Sequence, residues 1–585
     1  MAMRRLQQIW LPTFLLCLVP AISSAQSFRA QCPTSTITHP DPTNAGVNNA
    51  EPAYNGPTTF TLGANGYYLP VAGTVNGAIK CQQVSGGDGY STMANGTQTF
   101  MFSFGPLSGL ADIANGQPGT EFPSVFNTVA PQTLMPGDPA TTDGASDSGT
   151  AYSAGTLGAF TWNGAVGLVP DADCVAANNA TPAGSPLPCP NLPASGIDGH
   201  VDPRQIMDVG VMNGNIPAPL VAFDEDDEMF LTLTNVGMIM RPDLFEQHTI
   251  HFHGYPNASS VYDGVPDASV AINIGGSFTY YYLAPDAGTY FWHCHITPPE
   301  HLQMGMVGQL YVRPRQNRVP AGTNLYASLQ SQQGDLRTAC NTGADILCSN
   351  PLPAGGSSTA GPTQSLDKFG NPQKYAYNDG DGSSAYDVEY ALQIHGFDPN
   401  FHFVGMTFNP EMFVDMKDKF FLLNGRSYPD TVIPGPMATQ SSDGKMHYSQ
   451  PLPSIINIPV GGKALLRFAD LDVSEYQTVA TLGIPMKEIG FNAKLLRDQS
   501  GNNLGFYTNS FTLGGGESLD VILDASDAGC GSTGCAAALY PAGSKFYLYT
   551  PNLDHLSNDQ ENFGGLMTEV NICTASSITN GTCGK

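Results

Sequence analysis

Two H-x-H triplets, His251-Phe252-His253 and His293-Cys294-His295, place their paired imidazoles together only in extended backbone. In a strand, side chains two residues apart project from the same face, whereas at 3.6 residues per turn a helix would splay them apart. His251 and His253 therefore point together, as do His293 and His295, while Cys294 points the opposite way. Two such strands side by side gather four imidazoles on one face of a sheet. Cys294 then looks to the other side, where an offset donor such as His248 or His301 can join it.

Composition supports a β-rich chain. Charged residues are 12% of the sequence against 65 glycines and 46 prolines, a balance that favours short strands joined by many turns. A length of 585 residues exceeds what one core holds, so two or three domains are expected. Strand-like alternation is dense from about 208 to 316, as in MFLTLTN, SFTYYYL and MVGQLYVRP, and again from 388 to 572, as in SIINIPV, KALLRFADL and ESLDVILDA. The expected fold is all-β, with two β-sandwich domains. The expected division is a signal peptide over 1–25, an N-terminal extension over 26–96, a first domain over 97–316 with an insertion at about 109–200, a linker over 317–385 and a second domain over 386–585.

The opening residues, MAMRRLQQIWLPTFLLCLVPAISSAQ, join two arginines to an apolar run and then small residues, the pattern of a secretory signal cleaved after Ala25. No later stretch is long and apolar enough to span a bilayer. A net charge of −27 disfavours nucleic acid and anionic membranes as partners. Without Cys17, eleven cysteines remain; in an oxidising compartment an odd count leaves one thiol for another task, and Cys294 is the candidate. Cys174 with Cys189, Cys340 with Cys348, and Cys530 with Cys535 are close enough in sequence to be expected as disulfides.

Six of the twelve histidines lie between 248 and 301, around that cysteine. A thiolate with two imidazoles and a weak thioether is the donor set of a blue copper site, and a cluster of imidazoles suits copper or zinc. At these residues the sequence resembles the multicopper oxidase and cupredoxin family, which includes laccases, metal-ion oxidases and copper nitrite reductases. HTIHFHG looks like the family's H-x-x-H-x-H-G, and HCHITPPEHLQMGM like its cysteine-containing copper motif. The likeness is strong over 208–315 and weaker over 388–572. It implies Greek-key cupredoxin domains, with type 1 copper on His248, Cys294, His301 and axial Met306. It implies type 2 and type 3 copper on His251, His253, His293 and His295. The implied activity oxidises a phenolic or metal-ion donor by single electrons, passes them through the Cys294–His293/His295 bridge, and reduces dioxygen. His251 and His295 stand where a copper nitrite reductase has an aspartate and lacks the second histidine, which argues against nitrite reduction.

The sequence departs from the family in two places. The loop from Cys294 to His301 is two residues longer than is usual in laccases, and only four of the eight histidines of a trinuclear cluster are present. The second domain offers His395, His402, His447 and His555, none in an H-x-H array, and these read as surface or loop residues. A homo-oligomer or a partner chain would complete the cluster; otherwise the chain is a type 1 electron carrier or copper-holding protein. Asp263 reads as a turn residue and the acidic run 224–228 as a solvated strand end.

Overall fold

The computed structural model describes residues 30–39, 51, 53–71, 73–126, 161–162, 180–185, 212–238, 240–255, 259–284, 286–341, 348–407, 412–440, 446–527, 534 and 536–584. The expected signal peptide, most of the insertion, and Cys174, Cys189, Cys530 and Cys535 lie outside them. The described part is mainly β, as expected. Among the described residues no helix is long and apolar enough to cross a membrane.

Two sheets enclose the first core. One runs Gln98–Pro106, Ile79–Thr92, Glu228–Gly237, Ser277–Leu283; the other runs Val221–Asp224, Val307–Arg313, Gly288–His293, His251–His253. Alternate residues of both sheets, among them Phe102, Phe104, Leu231, Tyr280, Phe252, Trp292 and Leu310, interdigitate as a sandwich core. The strand Ile79–Thr92 pairs with both Gln98–Pro106 and Glu228–Gly237. The first sheet therefore begins well before residue 97. Its Thr, Gly and Ser content hid the strand, because glycines where another segment approaches closely break the usual alternation.

A second sandwich sets the sheet containing Val388–Phe397, Lys463–Asp470 and Glu517–Asp524 against the sheet containing Gln477–Leu482, Lys545–Tyr549 and Met567–Cys573. Ile394, Leu466, Phe468, Val521, Leu548 and Ile572 fill its core.

The two sandwiches meet through apolar and charged contacts. Phe291, Val307 and Leu302 of the first pack on Ala469 and Leu471 of the second. Beside them Arg313 donates from Nε (2.9 Å) and Nη2 (2.7 Å) to Glu389 Oε1, and Arg467 Nε donates to Glu389 Oε2 at 3.1 Å. Thr289 and Tyr377 both donate to Asp520. The described residues of 317–385, the stretch expected as a linker, carry secondary structure. They include the helix Leu325–Gln332, and Arg318 and Arg337 reach Asp226 of the first sandwich at 3.1 and 3.0 Å. The acidic run 224–228 is likewise buried rather than solvated. Lys80, Arg315 and Arg318 neutralise it, because carboxylates this deep must be paired.

The Cys340–Cys348 disulfide forms as expected, with Cys32–Cys81 and Cys573–Cys583 beside it. Cys294 is the free cysteine among the described residues, and it is buried.

Burial opposes the Glu389 charge, but Arg313 and Arg467 outweigh it and hold the carboxyl down to about 2. A lowered carboxyl stabilises the fold above its unfolded value, and that contribution is lost as pH falls through the folded one. Between about pH 4.5 and pH 2, Glu389→Gln is therefore expected to lose less stability than the parent chain, as read by urea unfolding at stepped pH.

Candidate metal centre

His248, Cys294 and His301 converge inside the first sandwich. One donor atom from each lies within 4.8 Å of the others, and all three residues are buried. Three separate elements bring them. His248 bridges to Ile272 through reciprocal backbone hydrogen bonds of 3.1 and 2.9 Å. Cys294 follows the strand Gly288–His293, and His301 sits on the short helix Pro298–Gln303. That helix, with proline at its first position as helix starts favour, absorbs the longer Cys294–His301 loop and turns His301 inward, its Nδ1 3.3 Å from Cys294 Sγ.

Electrostatics favour a thiolate here. Burial alone would raise the Cys294 thiol, but His301 and His248 hold it well below its ordinary value. Burial works against charge on His301 too, yet Cys294 and Glu246 push it up to about 9. Among the described residues neither ring nitrogen of the fully buried His248 has a hydrogen-bond partner of ordinary geometry, and the group the ring faces is the Cys294 thiol. A soft metal fits that set, since it would satisfy an orphaned imidazole and a ready thiolate at once. Met306 is buried in the same core, and its backbone carbonyl accepts from Cys294 N–H at 3.1 Å. The Met304 thioether instead lies beside Gly405.

The second cluster forms on the outer face of the same sheet. His251 pairs with His293 across antiparallel strands, and Phe291 with His253. Donor atoms of His251, His253 and His293 lie within 4.8 Å of one another. His295, just past the strand end, holds its ring 5.1 Å from that of His251 and 5.7 Å from that of His293. Burial, then the neighbouring histidines, lower His253 to about 4. Burial also takes His293 to about 3 and lowers His251. These three imidazoles are therefore neutral near pH 7, the form that ligates metal. His251 Nδ1 donates to the Asp263 carbonyl at 2.6 Å, so Asp263 does more than set a turn: its backbone fixes that ring's orientation.

The sequence did not single out two neighbours of the first cluster. A Cβ on Gly86 would stand 2.6 Å from His248 Cδ2, so glycine makes room for the ligand ring. Glu246 Oε2 lies 3.5 Å from His301 Nε2. Only the three-dimensional approach of distant segments reveals either. In the second sandwich, His395, His402 and His555 are buried, which corrects their reading as surface or loop residues. His395 Nε2 faces the Leu302 carbonyl at 2.8 Å; His402 faces those of Phe100 and Gln303 at 2.6 and 2.9 Å. These two lock the sandwiches together rather than extend the imidazole face.

The multicopper oxidase family model matches residues 198–317. Laccase abr2 of Aspergillus fumigatus is 35% identical over 109 residues, 18% of this chain and 17% of that protein. Multicopper oxidase MCE of Talaromyces pinophilus is 34% identical over 112 residues, 19% of this chain and 17% of that one. The matched stretch thus spans about a sixth of the length of these curated relatives. Among solved structures, the blue copper oxidase from Nitrosomonas europaea is 20% identical with a TM-score of 0.38, covering 62% of this chain and 78% of that one. The copper nitrite reductase from the same organism is 14% identical with a TM-score of 0.34, covering 63% and 89%. Residues 198–317 of this chain match the multicopper oxidase family model, and both histidine clusters lie within that stretch.

Proposed function

We propose that the chain is an exported, copper-dependent oxidoreductase of the multicopper oxidase type, which takes single electrons from a small donor and delivers them to dioxygen. One observation carries this reading. Cys294 belongs to the inner cluster while its chain neighbour His293 belongs to the outer one, with His295 beside it, so adjacent residues link two sets of candidate metal ligands. His248, Cys294 and His301, with Met306 as a weak fourth donor, would hold type 1 copper. His251, His253, His293 and His295 would hold half of a type 2 and type 3 cluster, the rest supplied by a second copy or another chain. Copper bound there would supply the one-electron chemistry.

The chain's own residues shape donor access. Glu246 is partly exposed beside His301 Nε2, and Glu300 is the residue before His301. Two carboxylates at this edge attract a cationic donor and can accept the proton a phenol sheds on oxidation. A type 1 electron carrier is the second reading. It is favoured by the outer imidazole face meeting, in its own chain, a wall without histidine.

Copper reconstitution with metal counting and visible and EPR spectra separates these. The oxidase is expected to bind several coppers per chain, show an intense blue band that Cys294→Ser abolishes, and consume dioxygen. One copper per chain with a blue band supports the carrier, and no blue band refutes type 1 copper. Gly86→Ala is expected to displace the His248 ring and weaken copper binding at the Cys294 set by about 10–100-fold, read by competition with a chelator. Glu246→Gln is expected to raise KM severalfold for Fe(II) and to change it less for a neutral phenol, measured by steady-state oxidation.

A further inference from the structure

The helix Pro298–Gln303, which carries His301, is six residues long, well below the length at which a helix persists without outside support. Its N-cap, Thr297, gives it no side-chain hydrogen bond and sits in the left-handed region at φ 37°. A β-branched residue adopts that conformation only where its surroundings impose it. The support comes at the other end of the helix, from the second sandwich. Carbonyls of a last helical turn have no partners within the helix. Here His395, on the strand Val388–Phe397, turns Nε2 to the Leu302 carbonyl at 2.8 Å, and His402, on the helix Pro399–Gly405, turns Nε2 to that of Gln303 at 2.9 Å. The Gln303 side chain is held by the same sandwich, donating to Asp418 Oδ1 at 2.9 Å and accepting from the Asp398 N–H at 3.4 Å. His395, His402 and Gln303 are all buried, so water does not compete for these contacts.

His402 reaches further than Gln303. Its Nδ1 lies 2.6 Å from the Phe100 carbonyl, and its ring stacks on Phe397 with centroids 3.7 Å apart. Two residues along the strand from Phe100, the Phe102 ring meets that of His301 edge-on at 5.1 Å. One imidazole of the second sandwich thus spans the helix that bears His301 and the strand that backs its ring. Burial keeps this imidazole neutral near pH 7, holding it down to about 3. Its single N–H then serves one of the two carbonyls, and the stacking on Phe397 holds the ring against both. The turn after Gln303 carries the effect back to the thiol. Met306 N–H donates to the His301 carbonyl at 2.8 Å, and Cys294 N–H donates to the Met306 carbonyl at 3.1 Å. Moving the end of the helix therefore moves His301 and Met306 against Cys294.

We propose that His395 and His402 are positioning residues for the Cys294 set: by holding the Leu302 and Gln303 carbonyls they fix His301 and Met306, and so make the reduction potential of copper bound there depend on the docking of the second sandwich. This rests on the type 1 copper reading above and not on dioxygen reduction. A centre of one thiolate, two imidazoles and a weak thioether takes its potential from ligand placement and from the apolar shell that keeps water out. A helix released at its C-terminal end lets His301 shift and lets water approach, which favours the more highly charged Cu(II) over Cu(I). Two histidines that ligate nothing in the second sandwich thereby tune the centre of the first.

The test compares the copper-loaded full chain with His395→Phe and His402→Phe, which keep a flat ring and remove the nitrogens, and with His395→Gln and His402→Gln, which restore a donor. Expected for each Phe variant are a retained blue band, an altered copper hyperfine splitting in the EPR spectrum, and a shift of the reduction equilibrium toward Cu(II) of about tenfold, which is 59 mV for a one-electron couple. Each Gln variant should recover most of that shift. Parent potential and parent EPR spectrum in the Phe variants, with only the Tm lowered, overturn the proposal, because a purely structural support moves stability alone. Where a Phe variant does not load copper, hydrogen exchange of the metal-free chain decides. Faster exchange confined to the amides of Met304, Gly305 and Met306 supports the positioning role, and exchange that is unchanged there or faster throughout both sandwiches overturns it. A loaded parent chain without a blue band refutes the type 1 reading instead, and the same exchange measurement then decides for the two histidines.

Discussion

The pairing of His251 with His293 across two antiparallel strands underlies both clusters. It brings the H-x-H triplets level, so their imidazoles share the outer face of one sheet. Because the strand period is two, the same register turns Trp292 and Cys294 into the sandwich core. A slip of one residue would exchange the faces, exposing the thiol and burying the imidazoles. The extensive apolar packing on Trp292 opposes such a slip, so the hydrophobic core enforces the metal-site geometry.

That outer face does not meet water alone. Phe291 and Val307 press on Ala469 and Leu471 of the second sandwich, and the Arg313–Glu389–Arg467 group ties the same boundary with charge. Desolvating these ions is unfavourable, and their several charge-assisted hydrogen bonds offset it. The boundary then has one relative placement, which sets Leu471 and the glycines at 515 and 516 around the space beside His253 and His293. A sandwich without histidine on this wall thus still determines what surrounds the imidazoles.

Much of the site is legible in the sequence because its ligands follow local rules. Alternation alone separates Cys294 from its flanking histidines, and the odd cysteine count points to the same residue. The β class follows from composition and strand periodicity. What escapes a sequence reading belongs to long-range packing. The strand Ile79–Thr92 carries glycines where the chain passes His248, so it lacks an alternating signature. The acidic run 224–228 looks solvated because the arginines that neutralise it come from 315–337, about 90 to 110 residues later. The histidines at 395, 402 and 555 look peripheral because their partners are backbone carbonyls and side chains of distant segments.

Which donors exist, which of them share a face, and that the thiol and the imidazoles lie on opposite sides of one strand could all be read from the residues alone. These are consequences of backbone geometry over three residues, and they hold in any β context. That His248 and His301 close on Cys294, that Glu246 stands at the edge of His301, and that His395 and His402 reach the carbonyls of Leu302 and Gln303 emerged only on folding. Each of those approaches joins segments far apart in the chain, and their placement is fixed by the packing of two cores and the ions between them, which no local pattern encodes.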